Sequence, residues 1–198
     1  MGPAEGSEEL GVLLQEIPQR ANALGSPAAP VTLQYFGDLE CPFCRDFTLE
    51  VLPSIIQRWV RTGGLRIEYH ALETATRERE VFVAQQVGAL AAGKQEKAWY
   101  FIDTFYREQG EEGSGYVTDR FLEGIASEGP ALDLSQWSRD RGDPELANEI
   151  AADEQAAVSA GLRGTPSFLI GRNPATMTAF SPTDPASFDT AIERLRET

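Results

Sequence analysis

Cysteine, histidine and lysine are scarce in this chain of 198 residues. It carries two cysteines and one histidine, His70, and its lysines are confined to positions 94 and 97. A closed zinc site takes about four protein ligands, so two cysteines and one distant histidine do not complete one. No metal and no bound cofactor is therefore expected. Acidic residues far outnumber basic ones, for a formal net charge of −14. Nucleic acids and anionic membranes are held mainly through basic patches, so this surface argues against both as partners. Its plain consequence is solubility. No apolar run reaches the roughly 18 residues that a membrane span needs. The opening residues have neither a basic stretch nor an apolar core, so they do not read as a secretory signal. Taken literally, the chain would stay in the cytoplasm. Its hydrophobic fraction of 41% suffices for a core, and its length suits one domain or one domain with an insertion.

The two cysteines stand in one motif, Cys41-Pro42-Phe43-Cys44. An apolar, β-branched run from Val31 to Phe36 precedes them and predicts a central strand. Arg45 to Arg61 follows with apolar residues at helical spacing, and Pro53 predicts a kink in that helix. A thiol at the start of a helix meets the positive end of its dipole, which favours thiolate over thiol. Thiolate is the nucleophile of disulfide exchange. An inert disulfide remains the competing reading, but closing so short a ring constrains little chain. Cys41 is expected to be the accessible attacking thiol. Cys44, one turn into the helix, is expected to be covered. Pro42 suits the first helical turn. Phe43 reads equally as a packing or surface aromatic and as a residue that tunes the thiolate and touches substrate. Asp38 and Glu40 would oppose a thiolate if close, and Arg45 would favour one.

A second segment, Gly164-Thr165-Pro166-Ser167-Phe168-Leu169-Ile170-Gly171, places proline at the start of a short apolar strand. Its plainer reading is an ordinary turn into that strand.

Together the two segments resemble the thioredoxin superfamily, and more closely its DsbA-like thiol–disulfide oxidoreductases. Ile17 to Arg20, Leu24 to Thr32 and Phe36 to Cys44 look like the approach to that group's active site. Ala160 to Phe168 looks like its cis-proline loop. The resemblance implies an α/β, thioredoxin-like fold with a helical insertion. It predicts a flexible or partly helical segment over 1–16, a first thioredoxin-like part over 17–73, an insertion over 74–156 and a second part over 157–198. It implies that Cys41 and Cys44 form the redox pair, with no other cofactor. Pro42, Phe43, Thr165 and Pro166 would then contact substrate, Thr165 through its backbone. The implied reaction is oxidation of protein dithiols to disulfides. The rivals are an envelope reductase or isomerase, a small-molecule isomerase or transferase of the same fold, and an inert binding module. The implied partners are thiol-bearing proteins or peptides and a membrane redox protein that recycles the pair. The implied location is extracytoplasmic, with the signal or anchor absent from this sequence.

Elsewhere, residues 1–9 read as disordered and Leu10 to Ile17 as a helical lead-in. Leu65 to Leu72 alternates as a strand. Helices are expected over 78–109 with a break near Gly93, over 118–127, 134–141 and 144–160, and from Pro185 to Arg196. Thr176 to Phe180 should pair with the strand at Ser167 after a turn at Asn173-Pro174. An interdomain groove beside the cysteines would take a peptide. Trp99, Tyr100, Phe101, Phe105 and Tyr106 read as core of the insertion rather than as a substrate groove. His70 reads as a paired or exposed histidine rather than a catalyst.

Overall fold

The computed structural model describes residues 3–172, 176–182 and 184–197. A six-stranded sheet runs in the order β1-β2-β4-β3-β5-β6. Its strands are β1 (Gln19–Arg20), β2 (Ala23–Leu24), β3 (Val31–Gly37), β4 (Leu65–Ala71), β5 (Ser167–Gly171) and β6 (Thr178–Phe180). Only β3 and β4 are parallel; every other pairing is antiparallel. β3 lies between β4 and β5, and Val31, Leu33 and Tyr35 on it are fully buried. This central position matches its apolar composition. Gly37 ends β3 directly against the Tyr69 ring, which a Cβ at that position would approach to 2.7 Å. The turn at Asn173-Pro174 lies outside the described residues.

The chain leaves β3 through Asp38 to Cys41 and enters a long, uneven helix. It is α-helical over α2 (Pro42–Asp46), widens to π over Phe47–Val51, returns to α in α3 (Leu52–Ile55) and widens again over Ile56–Val60. Pro53 supplies the reason for the first irregularity. It lacks an N–H and its ring crowds the preceding turn, so the ladder widens there instead of simply bending. Between β4 and β5 come α4 (Arg79–Gly93), α5 (Ala98–Arg107), α6 (Asp119–Glu128), α7 (Leu134–Asp140) and α8 (Pro144–Ser159). Asp143 caps α8 ahead of its proline, and Gly161 just past its end has φ +75°. Trp99, Phe101, Phe105 and Tyr106 are buried, as a core role requires, while Tyr100 is only partly buried against that core. The chain closes on α9 (Pro185–Glu197).

The amino-terminal expectation needs correction. Residues 3–9 belong to a helix, α1 (Pro3–Leu14), rather than to a disordered tail. Leu10 and Leu14 enter the main core, and the Arg61 guanidinium donates to the carbonyls of Val12, Leu13 and Gln15. A cationic donor at a helix C-terminus satisfies orphan carbonyls and complements the dipole. The acidic composition concealed this because the stabilising partners lie far along the chain.

α8 is fastened to the end of β4. His70 Nδ1 lies 2.6 Å from Asp153 Oδ1, and the other Asp153 oxygen accepts the Ala71 N–H at 2.9 Å. Arg79 bridges Glu73 and Glu154, each at 2.6 Å. Burial pulls His70 down, but Asp153 and Glu68 outweigh it and hold it up at about 9. Because this folded value lies above the ordinary 6.5, the contribution to stability is complete below about pH 6.5 and lost as pH rises through about 9. Its size is on the order of 3 kcal/mol. With the Cys41–Cys44 pair oxidised, so that the depressed Cys41 thiol does not titrate with the opposite sign, the denaturant midpoint of the parent should fall between pH 6 and 9.5 relative to that of His70→Gln. Parallel pH curves for the two proteins would remove this link.

Candidate active site

Cys41 is the N-cap of α2, with φ −73° and ψ 120°, and Pro42 is the first helical residue. Proline at that position loses no helical hydrogen bond. Neither cysteine is bonded to the other, so the site is in its dithiol form. Both cysteines are buried, Cys41 at 4% and Cys44 at 0%, so the expectation of an accessible Cys41 needs correction while that of a covered Cys44 is met. The Cys41 thiol donates to the Thr165 carbonyl at 3.4 Å, which brings the second sequence motif over the sulfur. Phe43 is 70% exposed, which fits a surface aromatic or a substrate contact and not a packed one. The Thr165–Pro166 peptide bond is cis. The Thr165 hydroxyl also meets the Thr74 hydroxyl at 2.5 Å, joining this loop to the segment after β4.

The two thiols have opposite tendencies. Cys41 is brought down to about 6, first by the hydrogen bond from Cys44, with burial opposing it. The Thr165 side chain and the backbone N–H groups of Cys44 and Phe43 also favour its thiolate. Burial pushes Cys44 well up, and its donation to Cys41 pushes it further. One thiol is thus prepared to be a thiolate at neutral pH while the other stays protonated and donates to it. Alkylation of the reduced protein should follow a single ionisation near pH 6, and the same titration on Cys44→Ala should shift upward because the donor is removed. Half-maximal alkylation above pH 8 in the parent would contradict this geometry.

The charged neighbours act differently from the simple proximity expectation. Asp38 is fully buried and its carboxylate is spent on structure. One oxygen accepts the N–H groups of Thr74, Ala75 and Thr76 at 2.8–2.9 Å, and the other accepts the Thr76 hydroxyl at 2.6 Å and the Glu40 N–H at 3.1 Å. Burial raises Glu40, which favours its neutral form. Arg45 is paired with Asp46 at 3.0 Å. The acidified thiol therefore owes its state to the helix start and to its partner cysteine.

Several residues at the site escaped the sequence reading. Tyr35, fully buried on β3, places its hydroxyl 3.3 Å from the Cys44 carbonyl, 3.1 Å from the Thr48 hydroxyl and 3.4 Å from the Tyr106 hydroxyl. Tyr106 donates onward to the Asp38 carbonyl at 3.2 Å. Only the aromatic run on α5 hinted at this, and it pointed to packing alone. On the other side, a cavity of about 380 Å³ borders Pro166 and is walled by Phe47, Phe168, Phe180 and Phe188. The expected groove lay between the insertion and the rest. This cavity is walled instead by the π turn, β5, β6 and the start of α9.

Comparison with known proteins agrees with this geometry. The family model described as Thioredoxin matches residues 19–194. The probable disulfide bond formation protein D of Bacillus anthracis is 26% identical over 152 residues, covering 76% of this chain and 70% of that protein. The crystal structure of oxidised BdbD from Bacillus subtilis matches with a TM-score of 0.76 at 17% identity, over 92% of this chain and 98% of that one. A thioredoxin-like oxidoreductase from Silicibacter pomeroyi matches with a TM-score of 0.70 at 25% identity, over 95% and 98%. The chain belongs to the thioredoxin family, and its fold is that of DsbA-type structures.

Proposed function

We propose that this protein oxidises dithiols of protein or peptide substrates, with Cys41 as the attacked and leaving sulfur and Cys44 as its partner. The observation that carries the direction is the contrast between the two thiols. A stabilised Cys41 thiolate lowers the free energy of the reduced enzyme and so makes its disulfide more oxidising. Backbone N–H groups and the Cys44 thiol supply that stabilisation without a histidine in the motif.

In the oxidised enzyme a substrate thiolate attacks the Cys41 sulfur. The Cys41–Cys44 bond breaks, the substrate–Cys41 disulfide forms, and Cys44 leaves with the electron pair and takes up a proton. The second substrate thiolate then attacks the substrate sulfur of that mixed disulfide. Cys41 leaves as a thiolate, which its low pKa favours. Two electrons pass from substrate to enzyme, and the cysteine pair is the only electron carrier invoked.

Thr165 and Pro166 would receive the substrate backbone beside the sulfur, in the manner of an added strand. When the Cys41 thiol is protonated the Thr165 carbonyl accepts from it; a thiolate or a disulfide sulfur has no proton to give and leaves that carbonyl to the substrate. Exposed Phe43 and the aromatic cavity beyond Pro166 would hold apolar substrate side chains. In this reading residues 74–156 act as a helical insertion between two thioredoxin-like parts, 17–73 and 157–198. The working compartment is extracytoplasmic, and a membrane redox partner reoxidises the pair.

The test is stoichiometric. Oxidised enzyme mixed with a reduced dithiol peptide should yield one peptide disulfide per enzyme, followed by mass and by thiol count. Reduction of insulin disulfides with no peptide oxidation would reverse the proposed direction.

A further inference from the structure

We infer that Gln109 is a positioning residue for the attacking thiol, acting through the backbone carbonyls on either side of Glu40. It lies two residues beyond α5, far from the cysteines in sequence. Its side-chain amide nitrogen donates to the Leu39 carbonyl at 2.7 Å and to the Cys41 carbonyl at 3.2 Å. A primary amide has two N–H donors, so both are committed to the active-site loop. The same helix end sends Tyr106 to the Asp38 carbonyl. The carbonyls of residues 38, 39 and 41 are thus all held from one place.

The consequence follows from what stabilises the thiolate. The Phe43 and Cys44 N–H groups must point at the Cys41 sulfur, and their aim depends on the peptide plane that joins Cys41 to α2. The Cys41 carbonyl on that plane has two anchors, the Arg45 N–H at 3.1 Å and Gln109. Removing the second loosens the plane. It also leaves a carbonyl dipole less neutralised beside a negative sulfur. Both effects disfavour the thiolate.

The inference rests on Cys41 being the attacking thiol, and the parent protein checks that separately: a parent thiol that does not ionise near pH 6 sinks that reading whatever the variants do. Two variants test Gln109 itself. Gln109→Met keeps nearly the same shape without donors. Gln109→Glu keeps the shape and replaces the donors with a charge. In Met the Cys41 ionisation should move up by about half a unit, roughly a threefold change in thiolate stability, which at 1.36 kcal/mol per unit is about 0.7 kcal/mol and lies in the range of a net hydrogen bond. In Glu it should move further. The equilibrium with glutathione should shift about threefold against the reduced enzyme in Met, which is about 14 mV at 29.6 mV per tenfold. Gln109→Asn, one methylene shorter, should move the same way if Met folds poorly. A purely structural role would lower the melting temperature and leave ionisation and glutathione equilibrium at parent values. That result overturns the inference.

Discussion

Cys41→Ser should lose dithiol-oxidising turnover by a factor on the order of a thousand or more, since removal of a nucleophile that no neighbour replaces removes the reaction path. The structural cost should be small. The thiol donates one long bond, to the Thr165 carbonyl, and a serine oxygen fills nearly the same space and can accept from Cys44 and the backbone N–H groups as the sulfur does. Melting temperature should therefore stay near the parent value while activity disappears. Cys44→Ser should behave differently. Its Cys41 still attacks a substrate disulfide once, but nothing releases the mixed disulfide, so a covalent enzyme–substrate adduct should accumulate on a gel without reductant. A Cys41→Ser protein that turns over, or a Cys44→Ser protein that traps nothing, would mean that the roles are assigned wrongly.

The largest effect on stability is expected at Asp38. Its two oxygens satisfy three successive backbone N–H groups after β4, the Thr76 hydroxyl and the Glu40 N–H; the carboxylate and its bonds to Thr76 and Glu40 are buried, and those to Thr74 and Ala75 are partly buried. Asp38→Ala strands these donors. Leaving buried donors without acceptors costs about 1–3 kcal/mol each before relaxation, and removing a buried charged partner typically costs about 3–5 kcal/mol in total. A loss of about 3–5 kcal/mol in denaturant unfolding is expected, a large fraction of the roughly 5–15 kcal/mol that holds a domain folded. Asp38→Asn should lose less, because one oxygen remains to accept. A loss under about 1 kcal/mol for the alanine variant would show that loop 74–76 does not depend on this carboxylate.

Much of the site could be read from local chemistry. Cys41, Pro42 and Cys44 declare a helix start through spacing and proline placement, and Pro166 declares a strand start for the same kind of reason. What brings them together is sheet order. β3 pairs with β5 across more than a hundred intervening residues, Phe36 opposite Ser167, and only that register carries Thr165 to the Cys41 sulfur. Asp38 looked like a charge near a thiol; its partners at 74–76 belong to a loop whose path depends on β4. Gln109 is a polar residue near a glycine-rich loop, with no local pattern to set it apart. α1 was concealed for a similar reason, since its acidic composition gives no sign of Arg61 waiting at its end.

The reduction potential of the Cys41/Cys44 couple, measured by equilibration with glutathione, tests the central claim most directly. A thiolate held at about 6 by its own helix start and by a buried partner predicts a couple more positive than the roughly −270 mV of thioredoxin. A value at or below that figure would make the protein a reductant and contradict the account.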